Sequence, residues 1–100
     1  MIKHLVGAVV NYGEFAAFRN AAERYEKLCS DRGLQTYTLW VGAGTGRMNE
    51  VYFEATFDDA EAMHTRDKAE NEFPEIMQAL ADTVRHCAPG TIVDHQLESA

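Results

Sequence analysis

Residues 49–59 read Asn-Glu-Val-Tyr-Phe-Glu-Ala-Thr-Phe-Asp-Asp, and this stretch decides the fold. Apolar side chains at positions 51, 53, 55 and 57 alternate with polar or amphipathic ones at 50, 52, 54 and 56. Because successive side chains of a strand point to opposite faces, the alternation predicts a half-buried β-strand. Asp58 or Asp59 can then accept hydrogen bonds from the free N–H groups of a helix that follows. The stretch therefore predicts a strand that leads directly into a helix.

The residues before this strand predict a first strand, a helix and a hairpin partner. Residues 2–10 are almost continuously apolar and β-branched, which is typical of a central strand. Residues 14–32 carry apolar side chains at three- and four-residue steps, and Gly33 follows them where a helix C-terminal glycine is expected. Residues 35–41 alternate like a strand, and the glycine-rich segment 42–47 joins them to the next strand. We interpret this pair as a hairpin with a long loop.

The residues after it predict an interrupted helix and a last strand. The helical pattern begins at Ala60 and weakens through the polar stretch 66–72. Pro74 has no backbone N–H and suits the first turn of a new helix, so we expect a break in the three residues before it. The second segment is expected to run to Pro89-Gly90, and residues 91–97 to form the final strand.

The resulting order is β-α-β-β-α-β within 100 residues. It predicts a single domain, residues 1–100, of the α+β class: a ferredoxin-like sandwich with a four-stranded antiparallel sheet. Two crossover helices cover only one face of such a sheet, so the other face meets water or a partner. Thr38, Trp40 and Tyr52 on that face suit a second sheet better than water. We therefore expect a homodimer through the open sheet face.

The charge of the chain argues against anionic partners. Nine Lys and Arg stand against sixteen Asp and Glu, which gives a net charge of −7. This charge disfavours binding to nucleic acid or to anionic lipid. No stretch approaches the roughly 18 apolar residues of a membrane span, and we expect a cytoplasmic protein with no membrane partner. Cys29 and Cys87 could form a disulfide, but a reduced pair is the expected state.

Three stretches resemble the dimeric α/β-barrel superfamily, in which two ferredoxin-like protomers stack their open sheet faces into one barrel. Residues 3–6, Lys-His-Leu-Val, are similar to the stress-responsive branch that includes olivetolic acid cyclase. Residues 49–59 and the helix restart Phe-Pro-Glu at 73–75 are similar to the NIPSNAP branch. The resemblance covers the whole chain and implies a dimeric α/β barrel. The superfamily includes cofactor-free monooxygenases, polyketide cyclases, isomerases, haem-degrading enzymes and members without an assigned activity.

The resemblance implies that His4 is the catalytic residue. In the cyclase-like branch, the histidine of the first-strand motif points into a pocket between sheet and helices and takes part in acid–base work. A histidine that titrates near neutral pH can take a proton from a phenol or an enolisable carbon. The second catalytic histidine of that branch would fall on Ala69, so the catalytic pair is not reproduced. An alternative is a strand-end histidine bonded to backbone or solvent.

Two groups of residues are candidates for substrate binding. On the sheet, Thr38, Trp40, Tyr52, Glu54 and Asp94 or His95 could line an aromatic-binding cavity, with Tyr37 and Trp40 stacking on the ligand. The alternative is a wet dimer interface. On the helix side, small residues face large ones and could leave a cavity, although plain core packing would give the same pattern. The helix-side candidates are Phe18, Ala22, Tyr25, Met63 and Met77.

These residues predict a protein that binds a small hydrophobic or aromatic ligand. If it is an enzyme, we expect cofactor-free cyclisation, isomerisation or oxygenation of an aromatic or polyketide-like substrate, with no metal. One alternative is a non-catalytic dimerisation or ligand-sensing module of the NIPSNAP type. A haem-binding protein is another, with His64 as the axial ligand, although Glu61 and His64 more simply form a surface pair. The loop 42–47 precedes a strand rather than a helix and is not interpreted as a phosphate site.

Overall fold

The computed structural model describes residues 1–42 and 49–100. Most of the glycine-rich loop lies outside the described residues, so its interpretation as a long hairpin loop stays a prediction. The described residues form, in chain order, β1 (Ile2–Val9), α1 (Phe15–Asp31), β2 (Thr38–Val41), β3 (Glu50–Phe57), α2 (Ala60–Glu70), α3 (Pro74–Val84) and β4 (Val93–Glu98).

The four strands form one antiparallel sheet in the order β2-β3-β1-β4. This is the predicted ferredoxin-like arrangement, in which β3 lies between β1 and β2 and β1 lies between β3 and β4. The register pairs Val6 of β1 with Phe53 of β3 and with Asp94 of β4. Because paired residues share a face, these side chains lie on the side that the helices cover, which we call the inner face. The opposite side, which includes Trp40 paired with Tyr52, we call the open face.

The core lies between the inner face and the helices. The buried stripe of α1 consists of Phe18, Ala22, Tyr25 and Cys29, at the spacing that the sequence predicts. Phe18 packs edge-on against Phe53, with ring centroids 6.0 Å apart. α3 buries Ile76 in a cluster with Tyr25 and Cys29. The apolar stripes of both long helical segments thus form the main packing interface over the sheet.

The boundaries of α2 and the start of α3 agree with the sequence. Asp59 accepts a hydrogen bond from the N–H of Ala62 at 2.8 Å and caps α2, and Pro74 occupies the first turn of α3. The break between them falls at residues 71–73, as predicted.

No helix within residues 1–42 and 49–100 has both the length and the apolar character that a membrane crossing requires.

The end of α3 differs from the prediction. α3 ends at Val84 instead of continuing to Pro89-Gly90. The N–H of Asn11 donates to the carbonyl of His86 at 2.8 Å, and the N–H of Ala88 donates to the carbonyl of Val9 at 2.7 Å. The chain after Val84 therefore leaves the helix because it pairs with the end of β1. Sequence periodicity does not record such a pairing.

The start of β2 was also predicted wrongly. The strand begins at Thr38 and not at Gln35. Arg66 donates through Nε to the carbonyl of Gln35 at 3.0 Å, and the N–H of Tyr37 donates to the carboxylate of Glu26 at 2.8 Å. Side chains of α2 and α1 therefore hold backbone groups that a longer strand would have used. This arrangement fixes the segment 35–37 against the helices.

Candidate functional site

A cavity of about 320 Å³ lies between the inner face of the sheet and the helices. This volume is at the lower end of the range that small-molecule sites occupy. Ala8, the second-last residue of β1, borders the cavity with its small side chain. The apolar and aromatic lining includes Phe18, Tyr25, Phe53, Met77, Leu80 and Ile92.

His4 lies at this cavity and is only 9% exposed. Its even position in β1 places it on the inner face, beside Ala55 of β3. Nε2 of His4 lies 2.9 Å from Oδ1 of Asp94, and Nδ1 is hydrogen-bonded to the hydroxyl of Tyr37. The imidazole is therefore held by side chains from β4 and from the segment before β2. This differs from a strand-end histidine that bonds to backbone or solvent.

Tyr37 is the second polar group at the cavity. Its ring lies edge-on to the His4 ring, and the Arg66 guanidinium lies 4.9 Å from its ring centroid. Burial raises the pKa of the Tyr37 hydroxyl well above its ordinary value, although the positive charge of Arg66 opposes the shift. The phenol consequently keeps its proton at neutral pH and can act as a donor.

A buried ion pair closes one side of the cavity. Nη1 of Arg66 lies 2.5 Å from Oε2 of Glu70, and the Tyr25 hydroxyl donates to Oε1 of Glu70 at 2.6 Å. Both charged residues are 6% exposed. Burial is the main reason why the pKa of Tyr25 is raised, and its hydrogen bond to Glu70 adds to the effect. The cluster presents a wall of paired charges to the cavity.

Sequence reasoning missed this ion pair because it interpreted residues 66–72 only as a polar stretch in which the helical pattern weakens. The available signal was spacing: Met63, Arg66 and Glu70 follow one another at three- and four-residue steps, which places them on one helix face. Met63 is fully buried, so its face points to the core. A buried Arg and a buried Glu one turn apart can satisfy each other's charges there.

Glu26 supports the site from α1. One carboxylate oxygen accepts from the N–H of Tyr37, and the other is buried without a hydrogen-bond partner among the described residues. Burial raises the pKa of Glu26, while the hydrogen bond from Tyr37 and the charge of Arg66 act in the opposite direction. Its contact with Tyr37 ties the position of the phenol to α1.

The predicted helix-side candidates divide into two sets. Phe18, Tyr25 and Met77 line the cavity. Ala22 and Met63 are buried in the core and do not border the cavity. Met63 instead packs with Ala55 and Phe57.

Most of the predicted sheet candidates lie on the open face, away from the cavity, whereas Tyr37 borders the cavity. Thr38, Trp40, Tyr52 and Glu54 occupy that face together with His95, whereas Asp94 lies on the inner face with His4. The Tyr52 ring covers Gly7 so closely that a Cβ at position 7 would lie 3.0 Å from it. A substrate-binding role for Trp40, Tyr52 or Glu54 stays a prediction and would require a site other than this cavity.

The remaining candidates lie apart from the site. His64 is exposed on α2, and Ala69 is half-buried. Cys29 and Cys87 are both free thiols, and burial raises the pKa of each. Within residues 1–42 and 49–100, no three His, Cys, Asp or Glu side chains are grouped so that they could hold a metal ion.

Solved structures with the same fold include NIPSNAP proteins and a monooxygenase. A NIPSNAP domain protein from Burkholderia xenovorans matches with a TM-score of 0.80 at 14% identity, over 100% of this chain and 95% of that chain. A NIPSNAP family protein of unknown function from Agrobacterium tumefaciens matches with a TM-score of 0.80 at 13% identity, over 100% and 88%. An antibiotic biosynthesis monooxygenase matches with a TM-score of 0.74 at 10% identity, over 100% and 99%.

These comparisons confirm the predicted fold and its likeness to NIPSNAP structures. No protein-family model matches the sequence, and no curated protein matches it. Because one fold hosts many unrelated activities, a likeness at these identities shows the fold alone. Any activity depends on the side chains at the cavity.

Proposed function

We propose that this chain is a small-molecule-binding homodimer that catalyses proton transfer without a cofactor. The ligand is a small, mostly apolar aromatic or polyketide-like molecule, held in the cavity between the sheet and the helices. His4 is the acid–base group. The expected reactions are those that begin with removal of a proton from a phenol or from a carbon next to a carbonyl, namely cyclisation, isomerisation or oxygenation.

The observation that carries the proposal is the open cavity that reaches a buried, doubly hydrogen-bonded histidine. A packed core would have left no space beside His4. A histidine oriented by a carboxylate is the usual arrangement for a general base, because the carboxylate fixes the ring and stabilises its charged form. The monooxygenase with the same fold makes oxygenation one of the reactions worth testing.

The chemistry of the lining indicates the ligand class. Aromatic and aliphatic side chains provide most of the surface, and a few polar groups converge from His4, Tyr37 and Arg66. Arg66 is already paired with Glu70, so its charge is largely compensated and a strongly anionic ligand gains little there. An uncharged ring that carries hydroxyl or carbonyl groups matches this mixture best.

A second copy of the chain is the proposed partner of the open face. Trp40 is 55% exposed and Leu97 is 49% exposed, which is a large apolar area for a face that meets water. The same face carries both a cation and an anion, Lys3 and Glu54, at 3.6 Å from each other. A face with both signs can complement itself across a two-fold axis.

A non-catalytic ligand-sensing module remains the second candidate function. It shares the cavity and the dimer but requires no reaction at His4. The NIPSNAP structures with the same fold include one described as having unknown function, so they favour neither candidate. The two candidates differ only in whether the protein accelerates a proton transfer.

Deuterium exchange into a simple aryl ketone tests this difference, because the exchange reports removal of a proton from a carbon next to a carbonyl. The probe is 2,4-dihydroxyacetophenone in deuterium oxide, and proton NMR follows the loss of its acetyl methyl signal. We expect the wild-type protein to accelerate exchange and His4→Ala to lower the rate by about 100-fold or more, the usual contribution of a general base. His64→Ala, which removes an exposed histidine, is the matched control and should exchange as the wild type does.

The outcomes separate the two candidates. Ligand binding without accelerated exchange would favour the sensing module. Equal exchange rates for wild type and His4→Ala would remove His4 from the mechanism. Light scattering should show that both variants keep the oligomeric state of the wild type.

A further inference from the structure

We propose that Tyr37 is the catalytic residue that exchanges the proton with the ligand, and that His4 acts behind it as the base that Asp94 holds in place. This inference rests on the proposed function and names the group that touches the substrate. Three side chains form a chain of hydrogen bonds: Tyr37 is bonded to Nδ1 of His4, and Nε2 of His4 is bonded to Asp94. The ligand meets this chain at its Tyr37 end.

The hydrogen bonds of His4 determine which nitrogen carries the proton. An ionised carboxylate can only accept, so Nε2 of His4 must donate its proton to Asp94 across the 2.9 Å that separate them. In the neutral imidazole the other nitrogen, Nδ1, then has a lone pair and no proton. It accepts the hydrogen bond from the Tyr37 hydroxyl, which is the donor. The raised pKa of Tyr37 agrees with a protonated phenol.

This arrangement leaves His4 with no free nitrogen for a ligand. Both ring nitrogens are engaged, and the His4 side chain is 11% exposed. A ligand that contacted Nδ1 or Nε2 directly would have to displace Tyr37 or Asp94. The Tyr37 oxygen, in contrast, still has lone pairs after it has donated its proton, and Tyr37 borders the cavity.

Contacts from α1 and α2 fix the position of Tyr37. Glu26 binds its backbone N–H, and Arg66 binds the carbonyl of Gln35 two residues earlier. The Arg66 guanidinium also lies over the Tyr37 ring at 4.9 Å. Its charge favours the negative charge that develops on the phenol oxygen during proton transfer. The strand β2 begins only after this segment, because the backbone around Tyr37 is bonded to helix side chains and not to a neighbouring strand.

The proton transfer balances as a two-step relay within one hydrogen-bonded chain. The Tyr37 hydroxyl proton moves to Nδ1 of His4, and the Tyr37 oxygen takes the proton from the ligand. The products are an enolate or phenolate ligand, a neutral Tyr37 and an imidazolium that the Asp94 carboxylate stabilises. The reverse movement returns a proton to the product, so no oxidant, metal or cofactor takes part in this step.

Nitrogen NMR tests the hydrogen-bond chain in the absence of any ligand. In protein labelled with ¹⁵N-histidine, the His4 signals are identified by their loss in His4→Gln. We expect the neutral His4 ring to be the Nε2–H form, and Tyr37→Phe to shift the Nδ1 signal more than the Nε2 signal. Tyr12→Phe, at a highly exposed tyrosine, should shift neither. An Nδ1–H form, or an Nδ1 signal that Tyr37→Phe leaves unchanged, would overturn the inference.

The exchange assay then tests whether Tyr37 touches the reacting atoms. With 2,4-dihydroxyacetophenone as the probe, Tyr37→Phe should lower the maximal exchange rate by about 100-fold while changing KM less than threefold. Tyr37→Phe combined with His4→Ala should be hardly slower than either single variant, since the two residues act as one unit.

The assay distinguishes failure of the inference from failure of the proposed function. If His4→Ala abolishes exchange but Tyr37→Phe does not, His4 meets the ligand directly and the inference is overturned while the function stands. If the wild-type protein binds the probe but does not accelerate exchange, both are overturned.

Discussion

At the scale of single residues, the buried ion pair Arg66–Glu70 is the feature of the site whose disruption should affect stability most. Both charges are buried, and Glu70 is the nearest counter-charge of Arg66 at 2.5 Å, whereas the more exposed Asp67 lies 3.9 Å away. Tyr25 donates a further hydrogen bond to Glu70. Removing one partner of such a pair leaves an uncompensated buried charge, whereas an apolar replacement of both can be neutral. Replacing one member of the pair should therefore destabilise the fold, whereas replacing both with apolar residues should not.

Glu70→Leu alone should lower the free energy of unfolding by about 3–5 kcal/mol, because Arg66 would remain buried without its carboxylate. Arg66→Met combined with Glu70→Leu should recover most of that loss. Urea denaturation measures both. If the double variant is no more stable than the single one, the cost does not come from the unpaired charge.

Since Arg66 also lies over Tyr37, the double variant should slow deuterium exchange even where it folds normally.

The sequence predicted that His4 faces a pocket, and it named Tyr37 and Asp94 only as candidate ligand contacts, not as partners of His4. The first-strand motif marks the histidine, whereas Tyr37 and Asp94 lie 33 and 90 positions away along the chain. Only the sheet register and the fixed segment before β2 bring the three together. Arg66 and Glu70 were missed for a different reason, since a polar side chain is normally expected at the surface and its burial depends on a specific partner.

At the scale of elements, local signals were sufficient where the determining contacts are local. The alternation in β3 and the Asp59 cap lie within eleven consecutive residues, and both are confirmed. The end of α3 and the start of β2 depend instead on bonds from distant backbone and side-chain groups. No propensity in residues 85–88 or 35–37 encodes those bonds, so the predicted boundaries there were wrong.

The cap offers a test with a built-in control. Asp59→Ala should lower the free energy of unfolding by about 1 kcal/mol, because the N–H of Ala62 would lose its acceptor. Asp58→Ala removes a neighbouring carboxylate that makes no cap hydrogen bond to α2 and should cost much less. Equal losses in thermal or urea denaturation would indicate that general charge near the helix start, and not the cap, provides the stability.

At the scale of the whole molecule, the helices cover one face of the sheet, and within residues 1–42 and 49–100 no element covers the other. Every residue of β4 is exposed, and the open face presents Trp40 beside Tyr52. Edge strands and apolar sheet faces of this kind invite pairing with another chain. A dimer through the open face would bury this area and leave the cavity of each copy on the opposite side of its sheet.

Trp40→Glu should weaken the proposed dimer by at least about 30-fold, since a central aromatic side chain typically contributes about 2 kcal/mol or more to an interface. Analytical ultracentrifugation over a range of concentrations measures the change. Ala81→Glu adds the same charge to the exposed side of α3 and should leave the association unchanged. A wild-type protein that is monomeric at high concentration, or a Trp40→Glu variant that dimerises normally, would contradict the proposed partner.

An NMR titration with 2,4-dihydroxyacetophenone shows on which side of the sheet the ligand binds. The Met77 methyl and the His4 ring report on the cavity, and the Trp40 indole reports on the open face. A ligand in the cavity should give saturable shifts of the Met77 and His4 signals and no shift of the Trp40 indole. Shifts at Trp40 with unchanged His4 and Met77 signals would place the ligand on the open face and contradict the proposed site.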